Sequence, residues 1–580
     1  MDSENFKIIN VTRDLVTIEI IDPSKFEGQF NIGSYVKIPY NKDSEKFIIG
    51  VIENYRIKNL NSEDVQTQVL DPHFLIEIKL VGTYTKGSEE EHSFIRGAHG
   101  IPLPPNNGIE ILSDEDYENI YCCNIPDKER FIFSQLIQNK NVKLPVNGNK
   151  LFNKHFAIVG STGSGKSHTV ASVIQKAVDE KVSGGYEGLN NSHIIIFDIH
   201  GEYKRAFPSA NYINSENIKI PYWLFDSEEL GDLFIESNED NSHNQVSQFR
   251  YAVTENKIKE NPSVDKSKIY FDSPLKFKME EIIQYIKNIN NELVNKKNAR
   301  NPETKDGVTI SDRIPLYFEK ELEFEKISAD FVNGPYSGDF ERFILRLENT
   351  IKNPRLKFLF KDVYDLSLED ILKQFLGYGE NNYNVTVIDL SGIPFEVLSI
   401  TVSLISRLLF EYGYYYNKIL TGDVNCETPL LLVYEEAHKY VPRSDLVKYR
   451  ASKNAIERIA KEGRKYGVTL CIVSQRPAEI SETIFSQCNN FIIMRLTNPD
   501  DQNYVKKLLP DTLGDLTNNL STLQSGEALL IGESITLPSV VKVDFPKHEP
   551  KSTDIKYLDI WKEQLKTNIE FEKIITEWKK

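Results

Sequence analysis

The sequence predicts an α/β protein: a parallel sheet covered by helices, preceded by a small antiparallel β-barrel, interrupted by a helical insertion and followed by a helical tail. Three observations predict it. Short, fully apolar runs recur between helical stretches, as strands buried on both faces of a parallel sheet do. Ahead of them, alternating runs such as "LVTIEII", "FIIGVI" and "FLIEIKLVG", punctuated by Gly33, Gly50 and Gly82, read as barrel strands. From about Phe207 to Glu380 the period turns helical and strongly charged.

These patterns divide the chain into a barrel over 1–115, a linker with a short helix over 116–150, and a first core part over 151–206. The helical insertion follows at 207–380, the second core part at 381–545 and the tail at 546–580. "IPLPPNNG" (Ile101 to Gly108) reads as a turn before the last barrel strand. Core strands are expected at Phe156 to Val159, His193 to Asp198, Tyr383 to Ser391, Pro429 to Glu436, Val468 to Gln475, Asn490 to Leu496 and Gly526 to Gly532. No internal repeat is visible.

The apolar stretch Val397 to Tyr416 carries Arg407 and Glu411 and reads as a buried helix rather than a membrane span, and no signal peptide opens the chain. A cytoplasmic location without membrane is expected. Cys122, Cys123, Cys426, Cys471 and Cys488 are too scattered for a disulfide framework or a zinc site, and buried free thiols are expected. The net charge of −16 is unevenly spread. Between Ala437 and Gly467 stand nine basic residues (Lys439, Arg443, Lys448, Arg450, Lys453, Arg458, Lys461, Arg464 and Lys465) against Asp445, Glu457 and Glu462. A basic strip on an acidic body confines nucleic acid to one place.

The most informative stretch is "HFAIVGSTGSGKSHTV", His155 to Val170. A buried strand runs into three glycines and then a helix from Lys166 to Val178, with Val170, Val173, Ile174 and Ala177 on one face. Glycine backbones and the free N–H groups of a helix N-terminus form a nest for phosphate. The spacing fits GxxxxGK[ST] over Gly160, Ser161, Thr162, Gly163, Ser164, Gly165, Lys166 and Ser167, with His168 following. In that pattern Lys166 reaches the β- and γ-phosphates and Ser167 ligates Mg²⁺.

Hydrolysis of a bound ATP needs carboxylates as well. "LLLVYEEAH" ends a strand with two: Glu435 for the Mg²⁺ shell, where Asp is usual, and Glu436 to polarise the attacking water. Gln475, ending the next strand in "SQRP", is either a γ-phosphate sensor or a turn-forming amide. For the transition-state charge, Arg464 in "KEGRKYG" is the first candidate, supplied from an adjacent subunit, and Arg495 the second; each competes with a plain surface role. In "DIHGEY", Asp198, His200 and Glu202 form either a metal-binding set or a hydrogen-bonded turn. Lys439 and Arg443, just after the catalytic strand, are candidates to contact DNA.

Taken together, "HFAIVGSTGSGKS", "FDIHGEY", "VIDLSGIP", "VYEEAHKYVP", "IAKEGRKYGV", "SQRPAEI" and "GEALLIG" resemble the HerA family within the HerA/FtsK group of P-loop ATPases. The resemblance covers about 151–206 and 384–545, and the amino-terminal strands look like the family's small barrel. It implies a RecA-like motor core, a hexameric ring with nucleotide at the subunit interfaces, and DNA through the central pore. It also implies a partner enzyme on the barrel side: a NurA-like or other nuclease, or a sirtuin-like NAD-consuming effector as in phage defence. The chain then reads as a DNA translocase; the alternative is an ATP-dependent ring scaffold that switches an effector, with translocation incidental. A signalling ATPase without DNA is the third reading.

Overall fold

The computed structural model describes residues 6–21, 30–40, 45–58, 73–87, 92–97, 109–182, 186–235, 241–297, 301–326, 328–420, 427–444, 451–508, 520–551 and 555–579. Cys426, Lys448, Arg450 and the expected turn at 101–108 lie outside the described residues.

Seven amino-terminal strands form one antiparallel sheet. They are β1 (Phe6–Val11), β2 (Leu15–Ile20), β3 (Tyr35–Pro39), β4 (Lys46–Lys58), β5 (His73–Thr85), β6 (Ser93–Arg96) and β7 (Glu110–Ile111), in the order β1-β2-β5-β4-β3-β7, with β6 on β5. Alternating residues such as Val16, Ile18, Ile38, Ile48, Ile76 and Ile78 are fully buried in a core of their own. Bulges between Ile49 and Gly50 and between Ile52 and Asn54 break the β4 register, where such irregularities bend a sheet. The ends of this path, β1 and β7, have no pairing with each other among the described residues.

The second sheet has eleven strands. These are β8 (Arg130–Leu136), β9 (Lys143–Asn147), β10 (Phe156–Val159), β11 (His193–Asp198), β12 (Asn211–Ile213), β15 (Val385–Asp389), β16 (Leu430–Tyr434), β17 (Val468–Ser474), β18 (Asn490–Met494), β19 (Glu527–Gly532) and β20 (Ser539–Val543). The remaining pair, β13 (Leu293–Asn295) and β14 (Phe331–Asn333), makes a separate ribbon. The order is β12-β15-β11-β16-β17-β10-β18-β19-β20-β8-β9. From β12 to β18 every pairing is parallel. From β18 to β9 every pairing is antiparallel. Because β10 lies between β17 and β18, both reached by long crossovers, its carboxyl end opens into a crevice where α/β sheets hold ligands.

Successive residues of these strands feed opposite cores. Ala157, Val159, Phe197, Leu432 and Ile472 face the helical region, whereas Phe156, Ile158, Ile196, Val433 and Val473 face the helix Lys166–Asp179. On that helix Val170, Val173 and Ile174 are at most 2% exposed, and each such burial contributes about 1.5–3 kcal/mol. The helix Phe395–Ile419 is buried over most of its first three-quarters, as its apolar run predicts. Its Arg407 Nη2 lies 2.8 Å from Glu229 Oε2, and Ser403 donates to the same carboxylate at 2.9 Å. Burial raises the Glu229 pKa to about 6 against the pull of Arg407. Among the described residues no helix is long and apolar enough to cross a membrane.

The structure differs from the sequence expectation in three places. The stretch read as a linker with a short helix has that helix, Asp114–Cys122, but continues into β8 and β9, which extend the large sheet. Pro145 disguises β9, but β9 is an edge strand, where a missing N–H is tolerated. The stretch read as wholly helical begins with β12, which pairs in parallel with β15 at the opposite edge. The sheet read as parallel is mixed. Of the cysteines, Cys471 and Cys488 are buried free thiols as expected, while Cys122 and Cys123 are free but only half-buried.

Candidate functional site

The loop after β10 is shaped by its glycines and by two neighbouring strands. Gly163 and Gly165 have φ of +73° and +104°, which disfavour any side chain, and a Cβ on Gly165 would sit 3.2 Å from the Gly526 nitrogen. The Gly160 N–H donates to the Ser474 carbonyl (3.2 Å), that of Ser161 to the Arg495 carbonyl (2.7 Å), and that of Gly526 to the Ser164 carbonyl (2.8 Å). The loop is thus pinned to the ends of β17 and β18 and to the start of β19. Lys166, only 7% exposed, begins the helix, with Nζ 3.5 Å from the Ser161 carbonyl.

Each neighbouring strand delivers a polar group to this edge. From β17, Gln475 Oε1 accepts from Thr162 Oγ1 at 2.7 Å. From β18, Arg495 places Nη2 3.9 Å from where a Gly163 Cβ would lie, and its buried Nε has no partner among the described residues. After β16 come Glu435 and Glu436, 3% and 6% exposed. Tyr203 donates to Glu435 Oε2 at 2.8 Å. Burial, reinforced by Glu436, pushes the Glu435 carboxyl up to about 8, although the Tyr203 bond and Lys166 pull the other way. Glu436 adopts φ +49°, ψ +46°, unusual for a residue with a side chain. Its buried Oε2 has no hydrogen-bond partner among the described residues. His438 Nδ1 lies 3.2 Å from that oxygen but is in hydrogen-bonding geometry with Ser474 Oγ, also at 3.2 Å. Burial lowers the His438 pKa.

Asp198 ends β11, and His200 and Glu202 lie in the turn after it. Asp198 is fully buried and accepts from the His200 N–H (3.2 Å) and the Tyr203 N–H (2.9 Å), so it organises the turn; burial raises its pKa. His200 is exposed. Glu202 points to the phosphate loop, where its Oε2 accepts from Ser167 Oγ at 2.8 Å. Among the described residues no three His, Cys, Asp or Glu side chains converge as a metal cage, and the contacts of Asp198 are those of the hydrogen-bonded turn. The oxygens near Ser167 nevertheless suit magnesium, which keeps several waters and binds through one or two carboxylates plus phosphate. The buried Glu436 oxygen without a hydrogen-bond partner among the described residues, at the end of a neighbouring strand, suits such a hydrated ion.

Arg464 does not join this cluster. It is exposed in the turn Gly463–Tyr466, ahead of β17, at the end of the sheet opposite the loop. The seven residues of β17 put about 20 Å between them. Arg495, the second candidate, is the arginine that reaches the loop within the chain. The basic strip is also less free than its charge count suggests. Arg443 pairs with Glu482 and lies over Tyr504, Arg458 lies over Phe410, Lys461 pairs with Glu457, and Lys453 is buried. Lys439, Arg464 and Lys465 are exposed. Sequence reasoning missed Tyr203 and His438, although Tyr203 follows Glu202 directly and His438 comes two residues after Glu436.

The model of the HerA helicase central domain matches residues 132–409, from β8 through the phosphate loop into the helix Phe395–Ile419. This match, with the relatives below, supports the HerA family of P-loop ATPases for this chain. It is 26% identical over 565 residues to a probable helicase of Methanocaldococcus jannaschii, covering 93% of this chain and 92% of that one. The DNA double-strand break repair helicase HerA of Sulfolobus acidocaldarius is 26% identical over 555 residues (92% and 93%), and that of Saccharolobus solfataricus 27% over 549 (92% of each). Among solved structures, VirB4 of Thermoanaerobacter pseudethanolicus superposes with a TM-score of 0.46 at 13% identity, covering 72% of this chain and 97% of that one. The chain is an ATPase, and the geometry above describes its nucleotide edge.

Proposed function

We propose that this chain is an ATP-driven DNA motor that works as a homohexameric ring, with DNA in the central pore and an effector enzyme on the side of the amino-terminal sheet. The observation that carries the reading is the convergence of Lys166, Ser167, Gln475 and the unpartnered Glu436 carboxylate on the carboxyl edge of one parallel sheet. The loop from Gly160 to His168 cradles the triphosphate, and Lys166 meets its outer phosphates. Ser167 and Glu435 serve the magnesium ion, which neutralises phosphate charge when bound. Glu436 orients the attacking water, and Gln475 ties the γ-phosphate position to β17. Arg464 acts on a neighbouring subunit's nucleotide, and its distance from its own loop supports that assignment. Lys439 and Arg443 contact DNA phosphates. The exposed Arg443–Glu482 pair is weak enough to exchange for them.

The names of the relatives, DNA double-strand break repair helicases, support DNA as the substrate. The effector, a nuclease or an NAD-consuming enzyme in DNA processing or phage defence, extends the family resemblance. The engagement of Arg443 and Arg458 within the subunit favours a second reading, a ring scaffold that switches the effector with translocation incidental. The two separate in one experiment. A motor hydrolyses ATP several-fold faster when DNA is added, and Lys166→Ala abolishes both rates; a scaffold's hydrolysis ignores DNA.

A further inference from the structure

The turn Gly201–Tyr203 is held more rigidly than an ordinary surface turn. Asp198 accepts from the Tyr203 N–H within it and from the His200 N–H just ahead of it, and Gly201 has φ +66°, with a would-be Cβ 3.2 Å from Asp389 Oδ2. The Glu202 carbonyl accepts from the Lys551 N–H at 2.9 Å. The segment that carries Lys551 is in turn clasped to the phosphate-loop helix. Gln175 Nε2 donates to the His548 carbonyl (2.8 Å), and Gln175 Oε1 accepts from the Lys547 N–H (2.7 Å). The turn therefore holds two side chains in register with the site: Tyr203 on Glu435 and Glu202 on Ser167.

Ser167 is the hydroxyl that a phosphate loop offers to magnesium. A carboxylate 2.8 Å from that oxygen is already within reach of the same ion or one of its waters. Resting on the functional reading above, we infer that Glu202 is a metal-shell carboxylate of this ATPase, alongside Ser167 and Glu435. Before nucleotide arrives it keeps the Ser167 hydroxyl oriented. With Mg²⁺-ATP bound it exchanges that hydrogen bond for the ion's hydrated shell. Its charge also makes up for Glu435, whose oxygen is already engaged by Tyr203.

The test titrates Mg²⁺ against the binding of a fluorescent ATP analogue to the full-length protein, beside a parallel measurement in EDTA. Wild-type protein should bind more tightly as Mg²⁺ rises. In Glu202→Gln the Mg²⁺ concentration for half-maximal effect should rise about tenfold, the scale of one charge-assisted contact. Affinity in EDTA should be unchanged, which a merely structural role would not predict. Glu202→Asp should fall between the two, and it decides the matter alone if Glu202→Gln does not fold. An unmoved Mg²⁺ midpoint in the folded variant, or an equal loss of affinity in EDTA, overturns the inference. A wild-type protein that binds no nucleotide in either condition overturns the functional reading, and this inference with it.

Discussion

Replacing Tyr203 by Phe removes one oxygen from the centre of the ATPase site and nothing else. The ring keeps its place against Phe207, and the backbone keeps its bond to Asp198. What is lost is a 2.8 Å hydrogen bond between two groups that are 0% and 3% exposed. No water replaces it at such burial, so the Glu435 oxygen is left unpartnered at a cost of about 1–3 kcal/mol. With its pKa pushed up to about 8, Glu435 is largely protonated at pH 7, and the bond joins neutral groups. At pH 9 the carboxylate is charged, the bond is roughly twice as strong, and the penalty for losing it should grow accordingly. In a Glu435→Gln background the amide oxygen accepts the same hydrogen but does not titrate, so the penalty should be the same at both pH values. Hydrogen exchange of β11 and β16 peptides in increasing urea reads the local free energy. Equal protection in wild type and Tyr203→Phe at both pH values would refute the reasoning.

Three further predictions concern stability, DNA and assembly. Burial lowers the His155 pKa to about 4, below its ordinary 6.5, so its contribution to stability is present above pH 6.5 and drains away as pH falls through 4. That loss should total about 3 kcal/mol and vanish in a folded His155→Gln variant, measured by urea denaturation across pH. Lys439→Ala/Arg443→Ala rings should lower the magnitude of the log K against log salt slope by about 0.7–0.9 per lost contact and weaken all sequences alike. An unchanged slope removes both from the DNA path. Mixing Glu436→Gln with Arg464→Ala subunits should recover some turnover through restored wild-type interfaces; no recovery in rings shown to be mixed excludes Arg464 as the residue acting in trans.

How legible each feature was depended on whether its cause is local. Gly163, Gly165 and Lys166 declare themselves because the backbone freedom and charge that a phosphate nest requires are written at fixed spacing, between an apolar strand and an amphipathic helix. The strands that surround the site are as plain, because double burial demands unbroken apolar runs such as "HIIIF" and "LLLVY". By contrast, β12 is three residues long and β9 contains Pro145, so neither carries the alternation or length that marks a strand. Ser167 and Glu202 are 35 residues apart, and their contact follows from the sheet bringing the ends of β10 and β11 to one edge. Arg443 looked free in the sequence because its partner Glu482 begins a helix 39 residues further along the chain.

The central claim is that Glu436 turns a bound nucleotide over while the phosphate loop holds it, and that DNA drives the cycle. Single-turnover hydrolysis by Glu436→Gln, with ATP binding measured on the same sample and with DNA present or absent, tests it most directly. The account predicts ATP bound as tightly as by wild type, hydrolysis slowed by two or more orders of magnitude, roughly the share carried by a positioned general base, and no rescue by DNA. Hydrolysis at the wild-type rate, with the same response to DNA, would contradict it.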